Sequence, residues 1–242
     1  MEIGKLNSLV ELYFKKCEEV EDKKPFLKWL KPQKPTYTWG DIKERVYKLS
    51  HKIKSLINEG DRCLILSENR PYWLMIDLAV MNAGGISVPI FTTYSLNDYE
   101  YILNDCRPSL IIVSNQDQFK KIENYINSDQ KIISFEEIDR ESFIIKDVLE
   151  EKYEEKINNN LKRNMPACII YTSGTSGNPK GVVLSHGGIL SNFYYLEELY
   201  PEVPLLGSDT VSRAQILSWD HRCFFEGFSS VAEVLRNSSE AF

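Results

Sequence analysis

The chain has 242 residues, of which 43% are hydrophobic and 26% are charged, a composition that suits a globular protein and excludes wholesale disorder or a collagen-like chain. Lysine and arginine number 29 against 35 acidic residues, so the formal net charge is −6 and no basic stripe is available for a nucleic-acid backbone. The length allows one domain or two.

The cysteines are far apart in the chain, odd in number, and include no C-x-x-C pair, so we expect reduced, mostly buried thiols of an intracellular protein and no zinc site. They are Cys17, Cys63, Cys106, Cys168 and Cys223.

The first elements are predicted from capping patterns and helical spacing. Ser8-Leu9-Val10-Glu11 matches a capping box and begins a helix whose apolar residues recur every three or four positions. Residues 26–30 form a short apolar segment that predicts an edge strand. A stronger helix follows Thr38, with one apolar face from Ile42 to Ile57.

The next part alternates between short apolar runs and helical patterns. We predict strands over 63–66, 86–90, 110–113 and 132–135, and helices over 71–83, from Ser95 to before Pro108, and over 119–126. Nearly continuous apolar strands separated by helices indicate an α/β fold with a mostly parallel sheet covered by helices on both faces.

Two segments need separate interpretation. The apolar stretch Tyr72–Phe91 contains Gly84-Gly85 and Pro89, so it predicts a buried helix, a turn and a strand rather than a membrane span. Residues 134–156 carry nine acidic and four basic side chains, which accounts for most of the net charge. This segment predicts a solvated helix or linker.

The most informative stretch follows a predicted buried strand, 167–171, and runs from Thr172 to Gly181. It contains four Ser or Thr hydroxyls, three glycines and Lys180. Glycines let backbone N–H groups approach an anion, hydroxyls add donors, and a lysine ammonium suits a phosphate group. Residues 178–181 also fit a β-turn. The pattern predicts a phosphate-binding loop, and the alternative is a plain Gly/Ser hairpin tip.

This loop is not the P-loop of NTPases, which requires G-x-x-x-x-G-K-[ST] at the start of a helix. Here Gly181 follows Lys180, and the β-branched pair Val182-Val183 predicts a strand. The expected arrangement is therefore strand, loop, strand.

The ordered string from Tyr171 to Gly181 resembles the signature of the adenylate-forming superfamily, which includes acyl-CoA synthetases, firefly-type luciferases and nonribosomal-peptide adenylation domains. It matches Y-T-S-G-T-[TS]-G-x-P-K-G at every position. Residues 37–42 also resemble a segment of this family, and residues 68–73 and 83–90 are most similar to its long-chain fatty acyl-CoA synthetase branch. The resemblance covers residues 6–208.

The resemblance implies ATP-dependent activation of a long-chain fatty acid to an acyl-adenylate and then to acyl-CoA, with ATP, Mg²⁺ and coenzyme A. It implies that Thr172 helps to coordinate Mg²⁺, that Gly181 lets the hairpin turn, and that His186 is structural. The residues implied to bind ATP are Thr172, Ser173, Gly174, Thr175, Ser176, Gly177, Pro179, Lys180 and Gly181.

Family members are longer and carry further motifs after the loop, so the resemblance implies an incomplete N-terminal portion of the adenylate-forming fold. We assign residues 1–208 to the N-terminal part of the AMP-binding domain and residues 209–242 to a divergent tail. Catalysis by the chain alone stays open. Two alternatives also stay open: a non-catalytic ATP- or phosphate-binding remnant, and an adenylation enzyme for another carboxylic acid.

The partners implied by the resemblance are small molecules of lipid metabolism, namely a fatty acid, ATP and coenzyme A, with no nucleic acid. We expect a cytoplasmic location. A loose association with membranes and a partner chain that supplies the missing domain stay open. An incomplete sheet predicts an exposed apolar edge, with instability or aggregation as its consequence.

Overall fold

The computed structural model describes residues 3–28, 35–153, 157, 160–172 and 178–199. Over these residues the α-helices are α1 (Leu9–Glu19), α2 (Trp39–Leu56), α3 (Pro71–Asn82), α4 (Leu96–Cys106), α5 (Gln116–Lys120), α6 (Ile145–Glu150) and α7 (His186–Leu199). The strands are β1 (Pro25–Lys28), β2 (Thr36–Thr38), β3 (Arg62–Leu66), β4 (Ile86–Ile90), β5 (Leu110–Val113), β6 (Lys131–Ser134), β7 (Phe143–Ile144), β8 (Pro166–Thr172) and β9 (Lys180–Ser185). Short 3-10 helices cover Ile3–Lys5 and Glu123–Tyr125.

The chain divides into two compact units, Met1–Leu190 and Ser191–Phe242, and the elements from α1 to β9 all belong to the first. The predicted domain boundary at residue 208 lies outside the described residues.

The main sheet has the strand order β7-β6-β5-β3-β4-β8-β9. Every neighbouring pair runs parallel except β8 and β9, which are antiparallel. Leu64 of β3 pairs with Val88 on one side and Ile111 on the other, which places β3 inside the sheet. The predicted α/β architecture with a mostly parallel sheet is confirmed, and β1 and β2 form a separate antiparallel pair.

Helices cover both faces of the sheet, as predicted. Ile65 of β3 packs in one cluster with Ile53 of α2 and Ile76 of α3. Leu64, the preceding residue, packs in a second cluster with Ile102 of α4. Successive strand residues point to opposite faces, so the two clusters lie on the two sides of the sheet. Full burial of each such side chain stabilises the fold by about 1.5–3 kcal/mol.

The predicted helix starts depend on local caps. The Ser8 hydroxyl accepts a hydrogen bond from the Glu11 amide at 3.0 Å, and α1 begins at the next residue. The Ser95 hydroxyl accepts from the Asp98 amide at 3.2 Å, while the Asp98 carboxylate accepts from the Ser95 amide. Such caps contribute about 1 kcal/mol each.

The helix predicted over residues 119–126 is wrong in its bounds. The Asn115 side chain caps the chain earlier by accepting from the Gln118 amide at 3.0 Å, so α5 covers Gln116–Lys120. A 3-10 turn, Glu123–Tyr125, follows it.

The apolar stretch Tyr72–Phe91 forms the predicted helix, turn and strand. α3 ends at Asn82, and Gly84 adopts a φ of +89°, a left-handed conformation that favours glycine. β4 then begins at Ile86. None of the helices in the described ranges combines the length and the apolar character that a membrane span needs.

The prediction of a solvated helix or linker for the acidic segment is confirmed for α6, a helix whose charged side chains Lys146, Asp147 and Glu150 are exposed, but its apolar side chains are buried, which was not predicted. Val148 and Leu149 are buried against the core. The Lys48 ammonium of α2 donates to the Leu149 carbonyl at 2.6 Å, and Lys52 pairs with Glu151 at 2.8 Å. The acidic segment is therefore packed on α2 through basic side chains whose position the sequence pattern did not reveal.

Candidate functional site

The predicted phosphate loop lies between β8 and β9, which form an antiparallel hairpin. Thr172 ends β8 and pairs with Lys180, the first residue of β9, and both are exposed. Pro179 is buried. The two strands predicted on either side of the loop are confirmed. The predicted residues Ser173, Gly174, Thr175, Ser176 and Gly177 lie outside the described residues.

The loop end of this hairpin, where Thr172 pairs with Lys180, lies at the carboxyl edge of the parallel strands. β4 runs parallel to β8, with Ser87 opposite Cys168, so Thr172 and Ile90 end at the same edge. Ligands of open α/β sheets bind outside the carboxyl ends of the strands. Within the described ranges, no carboxylate pairs with the Lys180 ammonium. Among the described residues, Lys180 is thus an exposed cation without a carboxylate partner, available for an anion at this edge.

Tyr171, the residue before Thr172, is held at both ends. Its hydroxyl donates to the Asp105 carboxylate at 2.5 Å, and its carbonyl accepts from the Tyr94 hydroxyl at 2.8 Å. Burial, with the nearby Asp105 carboxylate, raises the pKa of Tyr171 above its ordinary value, so the hydroxyl stays a donor. Neither Tyr94 nor Asp105 was identified from the sequence, because no motif links them to the loop.

Gly181 does not turn the chain, contrary to the prediction. It lies in β9 opposite Tyr171, and the turn predicted over residues 178–181 is not formed there because Lys180 and Gly181 already belong to the strand. A Cβ atom at Gly181 would lie 3.1 Å from Cζ of Tyr171 and 3.0 Å from Cγ2 of Ile169. The glycine therefore permits close packing of the tyrosine ring across the hairpin.

A second polar cluster lies at the carboxyl ends of β3 and β5. The Glu68 carboxylate accepts hydrogen bonds from the Ser114 hydroxyl and from the side-chain amide of Gln118, both at 2.7 Å. Arg70 pairs with Glu68 at 3.2 Å and with Glu136, after β6, at 2.6 Å. Partial burial raises the pKa of Glu68, but the hydrogen bonds and Arg70 outweigh it, so the pKa lies below its usual range.

Glu68 and Arg70 of this cluster belong to the segment 68–73, which resembles the long-chain synthetases. β3 and β5 lie side by side, and the chain leaves them toward opposite faces of the sheet, the arrangement that often leaves a ligand crevice. Here the Glu68 side chain and its donors occupy that place. The described contacts of Glu68 and Arg70 are therefore structural, and the hairpin is the better candidate site.

His186 lies at the junction of β9 and α7 and is fully buried. Its Nδ1 atom accepts from the Leu9 amide at 3.4 Å, at the start of α1. Burial lowers the pKa of His186 to about 4, so the imidazole is neutral near pH 7. This hydrogen bond joins the start of α1 to the end of β9.

A resident metal site is not evident in the part of the chain that the structure describes. No group of three or more His, Cys, Asp or Glu side chains there is arranged to hold a metal ion. The predicted Mg²⁺ ligand, Thr172, offers a single exposed hydroxyl. Mg²⁺ is often bound through few protein oxygens, together with waters and substrate phosphates. Thr172 fits such a minor role and does not form a site alone.

Comparison with known proteins gives one family match and several relatives. The profile described as AMP-binding enzyme matches residues 14–229. Fatty acyl-CoA synthetase A of Dictyostelium discoideum is 28% identical over 176 residues, which cover 64% of this chain and 26% of that protein. The long-chain-fatty-acid–CoA ligase ACSBG2 of Xenopus laevis is 32% identical over 139 residues, or 52% of this chain and 19% of that protein.

A linear gramicidin synthase of Brevibacillus parabrevis is also similar. It is 26% identical over 193 residues, which cover 75% of this chain and 3% of that protein. The chain therefore spans about a quarter or less of the length of these relatives.

Two solved structures share the fold. ATP-bound MatB from Rhodopseudomonas palustris superposes with a TM-score of 0.64 at 20% identity, covering 82% of this chain and 39% of that chain. The anthranilate CoA ligase AuaEII, in complex with anthranoyl-AMP, gives a TM-score of 0.66 at 22% identity, covering 77% of this chain and 37% of that chain.

Proposed function

Because the chain belongs to the family of AMP-binding enzymes, we propose that its β8–β9 hairpin binds the phosphate groups of ATP. The observation that carries this proposal is the pairing of Thr172 with Lys180. These two exposed polar residues lie opposite each other at the loop end of the hairpin. The proposed binding residues are Thr172, Ser173, Gly174, Thr175, Ser176, Gly177, Pro179, Lys180 and Gly181.

The chemistry of the described residues suits a phosphate group. The Lys180 ammonium supplies a positive charge, and hydrogen bonds between charged groups are about twice as strong as neutral ones. The Thr172 hydroxyl can donate to a phosphate oxygen or offer its own oxygen to a cation. Tyr171 keeps both strands in place through its hydroxyl, its carbonyl and its ring.

Magnesium is proposed to enter bound to ATP, with Thr172 as one oxygen ligand. When bound, the ion would neutralise charge on the phosphates. This chain would contribute one hydroxyl, that of Thr172, which lies opposite Lys180 in the hairpin.

The proposed overall reaction is the activation of a long-chain fatty acid, supported by the names of the synthetase relatives. A carboxylate oxygen of the acid attacks the α-phosphorus of ATP, forming an acyl-adenylate and releasing pyrophosphate. The thiol of coenzyme A then attacks the acyl carbon, forming the thioester and releasing AMP and the thiol proton. Positioning and charge stabilisation dominate such chemistry. The chain spans only part of its relatives, so the whole reaction is proposed for the complete enzyme.

The test of ATP binding compares Lys180→Ala with Lys23→Ala, an exposed lysine between α1 and β1. Loss of a charged hydrogen bond weakens binding by about tenfold to a hundredfold. Equilibrium dialysis with labelled ATP and Mg²⁺ should show this loss in Lys180→Ala alone. Equal affinity in both variants, or no binding by the unmodified chain, would overturn the proposal.

A second candidate is an adenylation enzyme for another carboxylic acid, such as an amino or aryl acid. The match to the linear gramicidin synthase, whose name is not that of a fatty-acid ligase, favours keeping it. Pyrophosphate exchange measured with a long-chain fatty acid, an aryl acid and an amino-acid mixture distinguishes the acid classes. ATP binding without exchange for any acid would instead support a non-catalytic phosphate-binding role.

We also propose a cytoplasmic location. Its support is that Cys17, Cys63, Cys106 and Cys168 are free thiols, which suits a reducing compartment. Cell fractionation with an antibody to the chain tests this directly, and recovery outside the cytoplasm would contradict it.

A further inference from the structure

The loop between β4 and α4 contacts Tyr171, the residue of β8 that precedes Thr172. The Tyr94 hydroxyl donates to the Tyr171 carbonyl at 2.8 Å, across 77 positions of sequence. β8 also pairs with β4 at Ser87 and Cys168, four residues before Thr172. Tyr94 therefore provides a second bond between these elements, close to the point where β8 ends.

Tyr94 is itself held by a well-anchored loop. The Lys121 ammonium donates to the Thr92 carbonyl at 2.7 Å, and the Tyr99 hydroxyl donates to the Phe91 carbonyl at 3.0 Å. The Ser95 cap fixes the start of α4 at the other end of the loop. With its backbone fixed from both sides, Tyr94 can hold the end of β8 in one place relative to β4 and α4.

Asp105 holds the same residue from the other direction. Its carboxylate accepts from the Tyr171 hydroxyl, so the side chain of Tyr171 is fixed by α4 while its carbonyl is fixed by the β4–α4 loop. The ring between these two bonds covers Gly181 of β9. A shift of Tyr171 would therefore displace Thr172 and the paired Lys180 together.

We infer that Tyr94 and Asp105 are positioning residues that hold Tyr171, and through it Thr172 and Lys180, in the geometry that binds phosphate. This inference rests on the proposed ATP binding by the hairpin. A bond that fixes a binding residue in advance lowers the entropy lost on binding, so its removal weakens binding even though neither residue touches the ligand.

The test uses Tyr94→Phe, which removes one hydroxyl and keeps the ring. Tyr72→Phe is the matched control, because the Tyr72 hydroxyl also makes one hydrogen bond, from Arg45 at 3.2 Å, but lies at the start of α3. With Mg²⁺ and ATP as the probe, Tyr94→Phe should weaken binding about fivefold, the equivalent of one hydrogen bond. Tyr72→Phe should remain within about twofold of the unmodified chain.

Two further measurements separate positioning from a general loss of stability. Amide hydrogen exchange should become faster at Thr172 and Lys180 in Tyr94→Phe without ATP, while exchange in β5 stays unchanged. Asp105→Ala, at an exposed position, should weaken ATP binding in the same direction and serves if Tyr94→Phe does not fold.

The outcomes distinguish this inference from the proposal beneath it. If Lys180→Ala loses ATP binding but Tyr94→Phe and Asp105→Ala bind like the unmodified chain, the positioning role is wrong and the binding site stands. If the unmodified chain and Lys180→Ala both fail to bind ATP, the proposed function fails and the inference fails with it.

Discussion

Two parts of one sheet edge differ in how their polar groups are satisfied. Beside β3 and β5, the Glu68 carboxylate has hydrogen-bond donors and an arginine partner in place. Beside β8 and β9, the Lys180 ammonium has no carboxylate partner among the described residues, and residues 182–184 expose their apolar side chains. In the first part, the charged groups already have partners within the chain. The second leaves charge and apolar surface available to another molecule, and this difference supports the proposal that the hairpin binds phosphate.

The carboxylates of Glu68 and Asp77 have pKa values that are shifted in opposite directions. Burial raises the pKa of Glu68, yet its donors lower it overall. Asp77 of α3 accepts one hydrogen bond, from Ser87 at 2.5 Å, within the described ranges, and burial raises its pKa to about 6. Deep burial with a single donor therefore raises the pKa of Asp77, whereas several donors and Arg70 outweigh the partial burial of Glu68.

The largest expected effect is on the part of the edge beside β3 and β5. Glu68→Ala leaves Ser114, Gln118 and Arg70 without their shared acceptor, so the free energy of unfolding should fall by about 2 kcal/mol. Urea unfolding measures this, with Glu137→Ala as the exposed control. ATP affinity should stay unchanged. Equal stability of the two variants would show that the cluster does not support the fold.

A smaller effect of opposite sign is expected at Asp77. Because its pKa is raised, Asp77 is protonated in the folded chain but ionised in the unfolded chain between pH 3.8 and about 6. This contribution to stability is present below pH 3.8 and is lost as the pH rises through 6. Asp77→Asn keeps an acceptor for Ser87 and should be more stable than the unmodified chain by about 1–2 kcal/mol at pH 7.

The pH dependence checks this expectation. The advantage of Asp77→Asn should disappear below about pH 4. Glu68 should act in the reverse sense, because its lowered pKa gives stability above pH 4.5 that is lost as the pH falls. A constant advantage of Asp77→Asn at all pH values would contradict the assignment.

The smallest effect on stability is expected at the apolar edge. Val183 of β9 and Leu96 of α4 are both 58% exposed, but only Val183 lies on an edge strand. Val183→Lys should reduce self-association in sedimentation velocity, because a charge on an edge strand discourages pairing. Leu96→Lys should leave it unchanged. Both should alter the free energy of unfolding by less than about 0.5 kcal/mol. Equal association of both variants would show that this edge does not pair.

Much of the fold could be predicted because its signals are local. A serine hydroxyl caps an amide three residues away, so Ser8 and Ser95 marked helix starts without any knowledge of the rest of the chain. Short apolar runs identified β3, β4 and β5 for the same reason. The bounds of α5 were predicted wrongly, because they depend on the Asn115 cap. The packing of the acidic segment was not predicted, because it depends on lysines of a distant helix.

The candidate site divides in the same way. The sequence by itself determined that a loop rich in glycine and hydroxyls joins two strands, with Lys180 beside it. Only the tertiary structure decided that Tyr94 and Asp105 hold Tyr171, that Gly181 makes room for a ring, and that Glu68 meets Gln118 across 50 positions. The physical reason is that strand order and register choose these hydrogen-bond partners, and no spacing along the chain encodes which strands become neighbours.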